Sequence, residues 1–276
     1  MRRSLFYVYL ILISELLYGK IIDLETSREV AIEDMAVAGD IFVLGESHYN
    51  PKIQNAQARI MAAVSEVRGQ DSFDFAWEFL NTDQKTLVAE AYQSFLRGKL
   101  SSSEFLTKFL GENPDNESYA VLLELAKSTN SSLIATNLSR AIKRQVSQGG
   151  IEALDPRYLP NDFQIGSTDY YERFVDAMGG HGGSQVERYF AAQSLVDNVM
   201  AESLLSERSH NISFLACGSF HSDYLDGVVF ELMRRSTEKI VSVRFIDREQ
   251  VSEDDIHKIL YSEDYGPIAD YAYILP

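Results

Sequence analysis

The chain has one cysteine, Cys217, in 276 residues. A single thiol excludes an internal disulfide and any cysteine cluster for zinc or iron–sulfur. It falls in an apolar run, where it reads as a small core residue. Basic residues are also scarce: 25 Lys and Arg stand against 41 Asp and Glu, a net charge of -16. A general nucleic-acid binder needs a basic face, so that class is set aside. No GxSxG elbow occurs, which disfavours an ordinary serine hydrolase. The glycine cluster 179–183 lacks the Lys-Ser/Thr ending of a phosphate loop. No apolar run reaches the 18 residues of a transmembrane helix, so no membrane span is expected in the mature chain. No tract is low in complexity. Apolar residues make up 45% of the chain, enough for a full core.

The amino terminus differs in kind from the rest. Met1-Arg2-Arg3-Ser4 is basic and Leu5 to Ile13 is wholly apolar. This is the pattern of a secretory signal peptide, expected over residues 1–19. No cysteine lies nearby, so a lipoprotein is not expected. The reading is an exported chain, periplasmic or extracellular.

Six short apolar runs read as strands: 41–44, 73–78, 132–136, 212–217, 240–246 and 271–275. Most are continuous rather than alternating, as in strands covered on both faces. Helical periodicity marks Leu87 to Leu96, Phe105 to Leu110, Asn116 to Lys127 and Gln185 to Glu207. The alternation predicts an α/β fold: a mostly parallel twisted sheet flanked by helices. Two stretches are too long for simple crossovers and read as a smaller helical lobe. The expected division is a sheet domain of residues 20–80, 131–138 and 190–276, and a lobe of 81–130 and 139–189.

The most informative feature is a tetrad that occurs twice. Gly45-Glu46-Ser47-His48 ends the first apolar run, and Gly218-Ser219-Phe220-His221 ends the fourth. A glycine there lets the chain turn sharply. Ligands of open α/β sheets bind outside the carboxyl ends of the strands. The second strand offers Glu78 at that end. The third offers Asn137, with Arg140 one turn on. Two histidines plus a carboxylate suit a divalent metal with open positions. The alternative is that strands end at the surface, where polar residues gather without function. Glu78 beside Trp77 is the less expected residue, because a half-buried carboxylate is costly unless paired.

These blocks resemble a known family. VLGESHYNPKIQNAQ, WEF, ATNLSRAIKRQVSQGG, LDPRYLP, FAAQSLVDNVMAESL, CGSFHSDYLDGV and ADYAYILP occur in the family's order. The chain is similar to the ChaN-like haem-binding proteins. Their superfamily also holds the Tiki metalloproteases and the erythromycin esterases. The resemblance implies haem binding in a homodimer, with a tyrosine on the iron and a partner histidine against the haem. Tyr170 or Tyr171 and His181 are the matching residues. It also implies a superfamily metal signature at His48, Glu78 and His221. Asn137, Arg140, Gln193 and Asp197 are the supporting polar residues.

Two functions are therefore carried forward. One is an exported haem-binding protein for haem or iron acquisition. The other is a metal-dependent hydrolase with Glu46 as general base. A scaffold that only binds a partner is the bland third reading.

Overall fold

The computed structural model describes residues 19–179 and 183–276. Ten strands appear among them. They are β1 (Lys20–Asp23), β2 (Arg28–Val30), β3 (Ile41–Glu46), β4 (Asp74–Asn81), β5 (Ser132–Asn137), β6 (Ser213–Gly218), β7 (Ile240–Asp247), β8 (Tyr261–Ser262), β9 (Gly266–Pro267) and β10 (Tyr271–Leu275). Eight form one sheet in the order β2-β1-β10-β7-β3-β6-β4-β5, and β8 and β9 form a small hairpin. From β10 to β5 the sheet is parallel; β1 and β2 add to its edge antiparallel. All six strands expected from the sequence are present. β1 and β2 have no continuous apolar run, and their role is to cover an edge.

Side-chain alternation along β3 divides the core. Phe42 and Leu44 join one apolar cluster, while Ile41 and Val43 join another. The first face is aromatic: Phe42, Phe73, Phe75, Trp77 and Phe214 are all buried. Burying each such ring contributes roughly 1.5–3 kcal/mol. The Pro51–Val67 helix lies on this face through Ile53, Ile60, Met61 and Val64. Its start follows ordinary capping chemistry. The Asn50 side chain accepts from the Lys52 N–H at 3.0 Å, and Pro51 occupies the first turn.

The second face is covered by the long Val186–Glu207 helix and by Gly227–Arg235. The connections leaving the neighbouring strands β3 and β6 thus depart to opposite faces. That divergence is a topological switch point, and it opens a crevice outside the strand ends. It falls between Glu46 and Gly218, which are register partners.

The two long excursions separate in the same way. Helices Lys85–Leu96, Ser102–Leu110 and Ala120–Ser128 pack on the aromatic face. Helices Arg140–Gly149 and Thr168–Ala177 pack beside Val186–Glu207 instead. Where one lobe was expected, the apolar stripes of the two stretches seek different faces of the sheet. No described helix is long and apolar enough to cross a membrane. The proposed signal segment lies outside the described residues, apart from Gly19. So do Gly180, His181 and Gly182 of the glycine cluster.

Candidate functional site: two clusters that share a wall

Glu46, at the end of β3, is buried at 2% exposure with both carboxylate oxygens engaged. Oε1 accepts from the Tyr119 hydroxyl at 2.7 Å and faces His48 Nδ1 at 2.9 Å. Oε2 accepts from the Gln54 amide at 2.9 Å. Through Oε1, Glu46 fixes the orientation of the His48 ring. Burial alone would lower the His48 pKa, but the Glu46 hydrogen bond and the Glu78 charge raise it.

His221 is held in the same manner from the other side. Its Nδ1 lies 2.6 Å from Asp197 Oδ1, and Nε2 lies 3.4 Å from Glu78 Oε1. Gln193 places its amide nitrogen 3.0 Å from His221 Nδ1. Burial opposes the charge on this ring, yet two carboxylates hold its pKa well above the usual value. Glu78 completes the cluster. Its Oε2 accepts the Gly218 N–H at 2.6 Å and lies 4.0 Å from His48 Nε2. Burial would raise the Glu78 pKa, but His221 and His48 outweigh it and bring it down to about 2.

Each ring nitrogen Nδ1 therefore meets a carboxylate, and each Nε2 turns toward Glu78. Anchoring of this kind also orients metal-ligating histidines. Among the described residues, however, no group of His, Cys, Asp or Glu is already disposed to hold a metal ion.

The glycines of the two tetrads serve close approach. Gly218 has φ -57°, which any residue adopts. A Cβ there would stand 2.7 Å from His48 Nε2. A Cβ on Gly45 would run into Ser222 Oγ. The left-handed turn after β3 is made by Tyr49, at φ 60°.

The tyrosines lie on the Thr168–Ala177 helix, capped by Ser167. Tyr170 is fully buried; its hydroxyl donates to Asp197 Oδ2 at 3.0 Å and accepts from Gln193 at 3.0 Å. Burial, then the Asp197 charge, pushes its pKa well above the usual value. Tyr170 thus supports His221 and offers no face to a ligand. Tyr171 is half-buried, against Phe190 at 5.1 Å between ring centroids. It lines a cleft of about 350 Å³ with Ile165, Gly166, Thr168, Glu187 and Phe190. Arg173 is buried; it donates to Asp226 at 2.9 Å and to the Asp223 carbonyl at 3.1 Å. His181 lies outside the described residues.

Residues 32–232 match the model of the family described as "Haem-binding uptake, Tiki superfamily, ChaN". The chain belongs to this family. A solved structure described as cofacial haem binding to ChaN of Campylobacter jejuni shares the fold at TM-score 0.70 and 20% identity. The alignment covers 94% of this chain and 97% of that one. The type III effector HopBA1 aligns at TM-score 0.41 and 11% identity, over 83% of this chain and 86% of its own. No curated protein matches.

Within this family member, several residues around the strand ends escaped the sequence reading. Tyr119 and Gln54 hold Glu46; Tyr119 sits in the Asn116 to Lys127 stretch that reads as helical, and Gln54 in the block that carries the family resemblance, with no role marked for either. Lys143 donates to Asn137 Oδ1 at 3.3 Å. It lies one turn beyond Arg140, which is exposed. The available signal was the helix start after β5, where position 143 follows Arg140 on the same face.

Proposed function

We propose that this protein binds haem, and that the cleft beside Tyr171 is where the haem sits. The observation that carries this reading is the family match over residues 32–232. The geometry supports a choice between the two tyrosines. Tyr170 is committed to Asp197, while Tyr171 faces the cleft. A tyrosinate is an anionic ligand known for haem iron. Phe190 and Ile165 supply apolar wall, and Ile165 is 49% exposed. That exposed wall suits a homodimer in which a second copy covers the haem. His181 is the residue we assign to contact haem from the partner.

We further propose export through residues 1–19, giving a soluble periplasmic or extracellular protein in haem or iron acquisition. N-terminal sequencing of the secreted chain should place its start near Lys20. Hemin titration should produce a Soret band that Tyr171→Phe removes. An unchanged band in that variant would overturn the assignment.

The anchored histidines favour a second reading, a divalent ion at His48, Glu78 and His221 within a metal-dependent hydrolase. The side chains would have to close on Glu78 to share one ion. Stoichiometric metal in the purified protein would support it, and metal-free protein after loading with zinc would remove it.

A further inference from the structure

From the groove between the Pro51–Val67 helix and the antiparallel edge of the sheet we infer a second ligand site. It takes a medium-chain fatty acid, with the tail against an aliphatic wall and the carboxylate on Arg59. The Pro51–Val67 helix lies on the aromatic face of the sheet, whereas the helix that carries Tyr171 packs beside Val186–Glu207 on the other. The groove is thus separate from the Tyr171 cleft.

The cavity is the first observation. It encloses about 630 Å³, within the range of small-molecule sites. β1 supplies Ile21, β2 supplies Val30, and the short helix after β2 supplies Ile32. Ile21 and Val30 are register partners across the edge of the sheet. The Pro51–Val67 helix closes the other side with Ile60 and Ala63. Val30, Ile32 and Ala63 stay half-buried. Apolar side chains left half-covered around such a space favour an apolar occupant. Tyr273 is the one ring among the described lining residues, and it is buried. An aliphatic wall of this kind suits a chain.

The groove is also long. A second cleft, of about 470 Å³, continues along the same helix past Lys52, Asn55 and Ala56. Arg59 and Tyr273 line both spaces, so the two meet at these residues. From Lys52 to Ala63 the helix rises about 16 Å. An extended molecule fits that shape better than a disc.

Charge is the second observation, and it sets the ligand's direction. Lys20, Glu29 and Arg59 are the charged residues of the aliphatic cavity, one positive charge in excess. Lys20 Nζ lies 3.1 Å from Glu29, so these two offset each other. In the second cleft Lys52 is matched by Glu249 at 2.5 Å. Arg59 is exposed at the junction. A guanidinium has five donors in a fork that matches a carboxylate, and it can hold one while keeping another contact. At the Ala31 end stands Asp34, whose carboxylate accepts the Ala31 N–H at 3.3 Å. A ligand carboxylate is repelled from that end and drawn to Arg59. The tail then runs from Arg59 toward Ile32.

Decanoate is the probe, added below its micellar concentration to the purified full chain. Calorimetry measures the affinity and isoleucine-methyl NMR the place. Binding should saturate at one per chain and shift the methyls of Ile21, Ile32 and Ile60. Octanoate, two methylenes shorter, should bind about 15-fold more weakly. Arg59→Met should weaken decanoate about tenfold and leave decanol, which lacks the charge, unchanged. Arg59→Lys should restore part of the loss. Ala63→Phe should fill the cavity and abolish binding of both, with a similar melting curve. Tyr171→Phe should leave decanoate binding intact. Absence of saturable binding, an equal decanoate affinity in Arg59→Met, or shifts confined to other methyls would overturn the inference. Displacement of decanoate by hemin, in the wild type and Tyr171→Phe alike, would also overturn it, by making the groove the haem site. Binding to decanoate-containing vesicles without binding to the free acid would do the same, by making the groove a membrane contact.

Discussion

Replacing Gly218 by alanine tests how the two tetrads fit together. The backbone at Gly218 has φ -57° and ψ 137°, so alanine meets no conformational strain. In the unfolded chain the change is favourable to stability by about 0.4–1 kcal/mol. The cost arises from contact. The new Cβ would lie 2.7 Å from His48 Nε2, 3.0 Å from Cε1 and 3.5 Å from Glu78 Oε2. His48 is the group that can move, because its side chain is 35% exposed. Moving it breaks the 2.9 Å contact with Glu46. A hydrogen bond to a charged group contributes about 1.5–3 kcal/mol. The difference leaves a net loss of about 0.5–2.6 kcal/mol, or about 1–10 °C in Tm for a chain of this size. Urea unfolding followed by the fluorescence of buried Trp77 measures it. NMR titration of His48 gives the second readout, since its raised pKa should fall once Glu46 is lost. Wild-type stability with an unchanged His48 titration would refute the close-approach account.

Other expectations follow from the same contacts. Tyr170→Phe removes a buried hydroxyl bonded to Asp197 and Gln193. It should lower stability by about 1–2 kcal/mol in denaturant unfolding, with the hemin Soret band retained; loss of that band would return Tyr170 to the ligand site. Asp74 is fully buried and accepts from Ser132, His210 and the Ser209 and His210 N–H groups. Burial would raise its pKa, but these bonds bring it below the ordinary 3.8. Its stabilisation is therefore present above pH 3.8 and lost as pH falls through the lower folded value. Thermal melts across the acid range should show a shallower decline for Asp74→Asn, and an equally steep decline would contradict this. Gly111 has φ 87° with open space around its Cβ position. Gly111→Ala should cost about 1–3 kcal/mol from backbone strain alone, read by the same melts, and a neutral effect would remove strain as the reason for glycine there.

Much of the fold was legible in the sequence because doubly covered parallel strands leave continuous apolar runs. Ile41-Phe42-Val43-Leu44 and Phe214-Leu215-Ala216-Cys217 each feed both faces of the sheet, so no polar residue interrupts them. The edge strands β1 and β2 carry no such run. The meeting of His48 and His221 was readable for a related reason, since both follow strands directly and β3 and β6 are neighbours. What the sequence did not show is which groups hold Glu46 behind His48. Tyr119 belongs to a 3-10 turn distant in sequence from Glu46, and no local pattern marks the bond between them. The two adjacent tyrosines illustrate the same limit. Helical geometry sends Tyr170 inward to Asp197 and Tyr171 toward Phe190, a difference of one position on the helix.

The central claim is that Tyr171 receives the haem iron. The most direct measurement is a hemin titration of the purified chain, with the wild type, Tyr171→Phe and Tyr170→Phe compared by Soret absorbance. The account predicts a saturating band in the wild type and in Tyr170→Phe, and its loss in Tyr171→Phe with the fold intact by circular dichroism. A band that survives Tyr171→Phe, or none in the folded wild type, would contradict it.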